Sequence, residues 1–160
     1  MSKTRQFWLF KSEPSAFGID HLAAAKNQTA PWDGVRNYQA RNFLRDDVQL
    51  GDGVFFYHSR EEPLGIFGTM TVVRTSYPDF TSWDPQSKYY DPASTQEAPR
   101  WYMVDVQLKQ KFPEPITRSQ LQEDPVTAKM LVLRKGMRLS IQRVTFEEWQ
   151  AVHRLAGVKA

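Results

Sequence analysis

Residues 30–45 read APWDGVRNYQARNFLR, and this stretch carries the strongest local signals in the chain. Its first part is predicted to be a loop, because Asp33-Gly34 marks a turn and Pro31 restricts the residue before it. Asn37 has the side chain of a helix N-cap, so a short helix is predicted over residues 38–46. Such a helix start presents free N–H groups and partial positive charge, which suit an anion or the polar edge of a ring.

The same stretch combines three kinds of side chain that a nucleotide pocket uses. Trp32 and Tyr38 offer flat faces, and Asn37 offers an amide that can read a base edge. Positive charge for phosphate comes from three arginines, Arg36, Arg41 and Arg45. The alternative interpretation is structural, because a Trp before a helix is commonly a core anchor and arginines around a helix commonly form a solvated face.

The composition predicts a globular chain with a single domain over residues 1–160. Aromatic residues make up 13% of it, but the net charge is only +3, far from a charge-driven nucleic-acid binder. The chain has no cysteine and its three histidines lack metal-ligand spacing, so we predict no metal site and no cofactor. No apolar run suits a signal peptide or a membrane span. We expect a monomer without a membrane partner, in the cytoplasm or, if the source is eukaryotic, in the nucleus.

The rest of the chain alternates short strands with short helices. Strands are predicted at 6–12, 54–59, 66–75, 101–108 and 138–144, and helices at 20–26, 117–123, 126–130 and 146–156. Gly68 is expected to bend its strand, and Pro113 and Pro115 to end theirs. Residues 77–100 are rich in Pro and Asp and are predicted to form a long loop. The expected fold is α+β, a mostly antiparallel β-barrel of about five or six strands decorated by short helices.

Further candidate site residues lie at strand ends and in the long loop. Lys11 and Ser12 end the first strand, where they either point into a cavity or simply lead into the loop. His58 and Ser59 end the second strand, but adjacent strand residues point to opposite faces, which disfavours a Ser–His nucleophile. Trp83 either supplies a second aromatic plate or pins the loop to the sheet. A second basic cluster, which could follow a phosphate backbone or only keep the surface soluble, comprises Arg134, Lys135, Arg138 and Arg143.

Five separated motifs, in one order, give the chain a specific resemblance. They read FWLFKSEP at 7–14, WDGVRNYQAR at 32–41, GDGVFFYHS at 51–59, YPDFTSWDP at 77–85 and LRKGMRLS at 133–140. Together they resemble the EVE-domain family, which has eukaryotic nuclear members and stand-alone bacterial members. The resemblance implies a PUA-like fold, a curled barrel with helices. It also implies a DNA-binding reader, chiefly of modified cytosines such as 5-methylcytosine, that flips the base into an aromatic pocket.

The motifs and the resemblance together implicate two sets of residues. The base pocket is expected to involve Lys11, Ser12, Trp32, Val35, Asn37, Tyr38, His58, Ser59 and Trp83. Phosphate contacts are expected from Arg36, Arg41, Arg45, Arg134 and Lys135. No catalytic residue is predicted.

Three other functions stay open at this point. The first is a reader of modified RNA, since PUA relatives mostly bind RNA. The second is an enzyme acting on a nucleotide or small molecule in the same pocket, with Glu13, Asp33, Asp84 or His58 as acid or base. The third is a scaffold whose aromatic side chains all lie in the core.

Overall fold

A computed structural model describes residues 4–160 of the chain, and these form one mixed sheet with short helices. The six strands are β1 (Phe7–Ser12), β2 (Thr29–Pro31), β3 (Gly53–His58), β4 (Gly65–Pro78), β5 (Tyr102–Thr117) and β6 (Ile141–Val144). The five α-helices are α1 (Pro14–Phe17), α2 (Ile19–Ala24), α3 (Tyr38–Asn42), α4 (Arg118–Glu123) and α5 (Phe146–Ala156). Within residues 4–160, no helix has the length and apolar character that crossing a membrane would require.

The sheet has the strand order β2-β5-β4-β3-β1-β6. Neighbouring strands run antiparallel except β1 and β3, which are parallel, so their carboxyl ends meet at the same end of the sheet. The predicted α+β fold with a mostly antiparallel sheet is confirmed. The predicted curling into a barrel does not reach closure, because among the described strands β2 and β6 stand at the two edges of an open sheet.

Both faces of the central strands are buried, and every residue of β3 is buried. Successive side chains of a strand point to opposite faces. Trp8 and Phe56 therefore belong to the core on one face. Leu9 and Phe55 belong to the core on the other, where Phe55 stacks on Trp149 of α5 with ring centroids 4.5 Å apart.

Two predicted helices differ in detail from the structure. The predicted helix 38–46 is α3 followed by a π-helical turn, Phe43–Asp47, while its N-cap, Asn37, is confirmed by a bond from Ala40 N to Asn37 Oδ1 of 3.0 Å. The helix predicted from Asp20 begins at Ile19. Gly18 takes the cap position there, and its backbone N–H donates to His21 Nδ1.

The strands β4 and β5 are longer than predicted. Pro113 and Pro115 do not end β5, because the pairing with β4 shifts register between Ile66 and Gly68, opposite the prolines. Proline is tolerated at such an irregularity, since no ladder hydrogen bond is required there. The predicted bend at Gly68 is confirmed by the same register shift. The long loop predicted over residues 77–100 is present between the end of β4 at Pro78 and the start of β5 at Tyr102. It contains a 3-10 turn, Phe80–Trp83.

Candidate functional site

A cavity of about 840 Å³ opens at the carboxyl ends of β1 and β3. Lys11 and Ser12 line it from β1, and Ser59 lines it just beyond β3. The other walls come from the 30–36 segment after β2, from the long loop, from the start of α4 and from the 132–140 segment. The lining residues that matter below are Trp32, Asp33, Gly34, Val35, Arg36, Lys88, Tyr89, Arg118 and Arg138.

Trp32 is both a core residue and a wall of the cavity. Its side chain is 5% exposed, and its ring lies 5.3 Å from that of Phe10 and 5.2 Å from that of Phe56. Phe17, which also lines the cavity, meets Trp32 edge-on at 5.9 Å. Aromatic pairs at these distances stabilise each other beyond simple burial. The Trp32 ring is therefore held in place by its aromatic neighbours.

Asp79 fixes the segment that carries Trp32. This fully buried carboxylate accepts hydrogen bonds from Gly34 N at 2.9 Å, from Arg36 Nη1 at 3.0 Å and from Thr81 N at 2.9 Å. The Arg36 guanidinium also donates to the carbonyl oxygen of Tyr89 at 2.6 Å. These bonds join the 30–36 segment to the long loop, so the two segments form one wall.

Gly34 allows the two segments to approach closely. Its φ is +77°, a conformation that side chains with a Cβ rarely adopt. A Cβ built at this position would lie 2.6 Å from atoms of the Tyr89 ring. The Asp-Gly turn predicted from the sequence is thus also a packing requirement.

The lining carries an excess of positive charge. Lys11 is half-buried, and its pKa is lowered first by burial and then by the nearby cations Arg118 and Arg60. Burial also raises the pKa of Asp33, and the neighbouring carboxylate of Asp79 raises it further. Nowhere in residues 4–160 do three or more His, Asp or Glu side chains form a group that could hold a metal ion.

The structure brings five predicted base-pocket residues to the cavity and leaves four outside its lining. Those that line it are Lys11, Ser12, Trp32, Val35 and Ser59; those that do not are Asn37, Tyr38, His58 and Trp83.

Asn37 and Tyr38 lie outside the cavity lining, where they form the N-cap and the first residue of α3. The Asn37 side-chain oxygen accepts the helix-cap hydrogen bond from Ala40 N, and the expected reading of a base edge by its amide stays a prediction. Tyr38 is 51% exposed and stacks on Trp101, with ring centroids 4.8 Å apart.

His58 is buried at the end of β3, and Trp83 lies in the long loop. His58 Nε2 accepts a hydrogen bond from Ile19 N at 3.1 Å, and its ring stacks on Phe67 at 3.9 Å. Burial lowers the pKa of His58 to about 4, so the ring is neutral at pH 7. Trp83 is partly buried in the long loop, and its indole N–H has no partner among residues 4–160.

Four of the five residues predicted to contact phosphate lie outside the cavity lining. Arg36 lines the cavity, but its guanidinium is bound to Asp79 and to Tyr89 O. Arg41 donates to the carbonyl oxygen of Arg100 at 2.6 Å. The remaining predicted cations are exposed and lie outside the lining: Arg45, Arg134 and Lys135. Arg45 forms an ion pair with Asp46.

Sequence reasoning missed several cations of the lining. Arg138 was placed in the second basic cluster, which could follow a phosphate backbone, but it was not among the expected phosphate contacts. Lys88 and Arg118 carry no local signal, because they reach the cavity only through the path of the long loop and the start of α4. Asp33 was considered only as an acid or base of an enzyme.

Comparison with known proteins identifies the family of this chain. The family model of the EVE domain matches residues 6–155. The chain belongs to the EVE-domain family. The EVE domain here is 44% identical to human thymocyte nuclear protein 1 over 161 residues, covering 91% of this chain and 71% of that protein. The family predicted from the five motifs is confirmed.

Solved EVE-domain structures superpose closely on this one. A Pseudomonas putida protein is 42% identical with a TM-score of 0.88, covering 94% of this chain and 99% of the other. The human THYN1 protein, solved in complex with 5-methylcytosine-containing DNA, is 40% identical with a TM-score of 0.88, covering 97% and 99%. An ASCH protein from Zymomonas mobilis, 14% identical with a TM-score of 0.54, shares the fold alone.

Proposed function

We propose that the cavity binds a modified cytosine flipped out of DNA, and that the protein is a non-catalytic, monomeric reader of this base. The observation that carries the proposal is the human THYN1 protein, a relative 40% identical over 97% of this chain that was solved with 5-methylcytosine-containing DNA. A DNA partner implies a location where DNA is accessible, which is the cytoplasm of a cell without a nucleus or the nucleus of a eukaryotic cell.

The size and the walls of the cavity support the proposal. A volume of about 840 Å³ lies within the range of about 300–1,000 Å³ that is typical of small-ligand sites. A flipped base loses its stacking in the duplex, and an aromatic wall such as Trp32 supplies a replacement worth about 1–3 kcal/mol per base. The buried side chain of Val35 offers apolar surface to an added methyl group.

The cations of the lining support a nucleic-acid partner. The side chains of Lys11, Lys88 and Arg138 line the cavity, and none of them forms an ion pair within residues 4–160. Each such cation that neutralises a phosphate of duplex DNA steepens the dependence of log affinity on log salt by about 0.9. We assign the phosphate contacts to these three residues in place of the set predicted from the sequence.

The proposal is tested by titrating the protein's Trp fluorescence with a matched set of oligonucleotides at fixed salt. The set carries cytosine, 5-methylcytosine, 5-hydroxymethylcytosine, adenine or N6-methyladenine at one position, each in DNA and in RNA. We expect the tightest binding to a modified cytosine in DNA. Tightest binding in RNA would support the RNA-reader alternative, and uniform weak binding across the set would overturn a reader function.

A pair of variants ties this binding to the cavity. Lys11→Met removes the ammonium group but keeps an unbranched apolar side chain, so we expect weaker binding and a shallower salt dependence. Lys109→Met is the matched control, because Lys109 is exposed on β5 and lies outside the lining. Equal loss of affinity in both variants would show that the cavity is not where nucleic acid binds.

A further inference from the structure

We propose that Asp33 recognises the 4-amino group of the bound cytosine and thereby excludes thymine. This inference rests on the proposed function and names the group that gives it base specificity. Asp33 lines the cavity directly after Trp32, and its side chain forms no ion pair with any of residues 4–160. The other carboxylate of the lining, Glu13, is already paired with Arg60 at 3.2 Å.

The need for such a group follows from the chemistry of the bases. Thymine carries the same 5-methyl group as 5-methylcytosine, so an apolar recess cannot distinguish the two. They differ at position 4, where cytosine has an amino donor and thymine a carbonyl acceptor, and at N3, which is an acceptor in cytosine and a donor in thymine. A carboxylate accepts from the amino group and repels the carbonyl oxygen.

The position of Asp33 in its segment suits this role. Positions 4 and 5 are adjacent on the pyrimidine ring, so the amino group and the 5-methyl group require adjacent polar and apolar surface. Asp33 and Val35 supply both surfaces from one loop, two residues apart. Gly34 between them is held by its N–H bond to Asp79, and the Trp32 N–H donates to Val104 O at 2.7 Å. A group held this firmly loses little entropy when it binds.

The test compares 5-methylcytosine with thymine in otherwise identical DNA duplexes. Each base is placed opposite an abasic site, so that neither must break a base pair to flip. We expect the wild-type protein to bind 5-methylcytosine about tenfold or more tightly than thymine, as usual for one well-placed polar contact. In Asp33→Asn, whose amide can turn to accept or donate, the ratio should fall below about threefold. Glu97→Gln, at an exposed position outside the lining, is the control and should keep the wild-type ratio.

The outcomes separate this inference from the proposed function. A wild-type protein with no preference for modified cytosine would overturn the proposed function. A wild-type preference that Asp33→Asn retains in full would overturn only the role of Asp33. If the variant does not fold, the wild-type protein is titrated with 5-methyl-2-pyrimidinone at the same position. This base lacks only the 4-amino group, and binding as tight as that of 5-methylcytosine would equally refute the inference.

Discussion

Asp79→Asn is the substitution that most directly tests how the cavity wall is built. In the wild type, Asp79 Oδ2 accepts from Gly34 N and Arg36 Nη1, and Oδ1 accepts from Thr81. An asparagine has the same shape but only one accepting oxygen. Whichever way the amide is turned, its NH2 group must face donors on one side, so at least one side of this network loses its bonds.

The magnitude follows from the burial of these groups. Removing one partner of a buried ion pair costs about 3–5 kcal/mol, and leaving a buried N–H without an acceptor costs about 1–3 kcal/mol. Arg36 is 24% exposed and keeps its bond to Tyr89 O, so part of its charge remains solvated or bound. We therefore expect Asp79→Asn to lower the free energy of unfolding by about 3 kcal/mol.

The assay is urea denaturation followed by Trp fluorescence, with Asp84→Asn as the matched control. Asp84 is an exposed carboxylate of the same loop, and within residues 4–160 its side chain accepts a hydrogen bond only from Gln86 N. Its substitution should change the unfolding free energy by less than about 1 kcal/mol. The effect of Asp79→Asn should shrink in an Arg36→Ala background, since one of the opposed donors is then gone.

A loss below about 1 kcal/mol for Asp79→Asn would refute this account of the wall. So would an effect of the same size in the Arg36→Ala background, because it would show that Asp79 and Arg36 do not act together.

Three further outcomes follow from individual contacts. Gly34→Ala should lower the free energy of unfolding by about 1–2 kcal/mol because of its left-handed backbone, and by more because the added Cβ overlaps the Tyr89 ring. Gly51→Ala, with φ +86° and open space around the added Cβ, should show only the backbone cost. Urea denaturation measures both. The pKa of His58 is about 4 in the folded state against about 6.5 unfolded, so protonation favours the unfolded state. Stability present above about pH 6.5 should be lost as the pH falls towards 4, by up to about 3 kcal/mol in urea titrations, and a His58→Gln variant should lose less. Thr145→Ala removes the N-cap acceptor of α5 and should lower the melting temperature through a loss of about 1 kcal/mol, whereas Thr145→Ser should not.

Much of the fold could be predicted from the sequence because its signals are local. The apolar, aromatic-rich runs of β1 and β3 and the capping box that begins α5 depend on residues a few positions apart. The barrel was not confirmed because closure depends on whether the two edge strands meet, which no local pattern encodes. Pro113 and Pro115 were misleading because their tolerance depends on a register shift against β4, more than forty residues away.

The site was harder to predict, because its residues acquire roles through distant partners. Trp32 and Val35, which their own segment suggested for a base pocket, do line the cavity. Arg36 has the sequence context of a phosphate ligand, yet its guanidinium forms an ion pair with Asp79, 43 positions away. Asn37 was expected to read a base edge, and its side-chain oxygen also caps α3, outside the cavity lining. In both cases the side chain already makes a bond within the folded chain.

The same criterion identifies the cations of the cavity that are free for a ligand. Arg36 is bound to Asp79, Arg60 to Glu13, and Arg118 donates to the carbonyl oxygens of Val132 and Leu133, so folding itself already uses these charges. Lys11 has no such partner within residues 4–160 although burial lowers its pKa, an arrangement that destabilises the empty protein. An oxygen of a phosphate or of a base would remove this cost. This is the physical reason for assigning Lys11 to the proposed contact with DNA, where its charge would gain a partner that the folded chain does not provide.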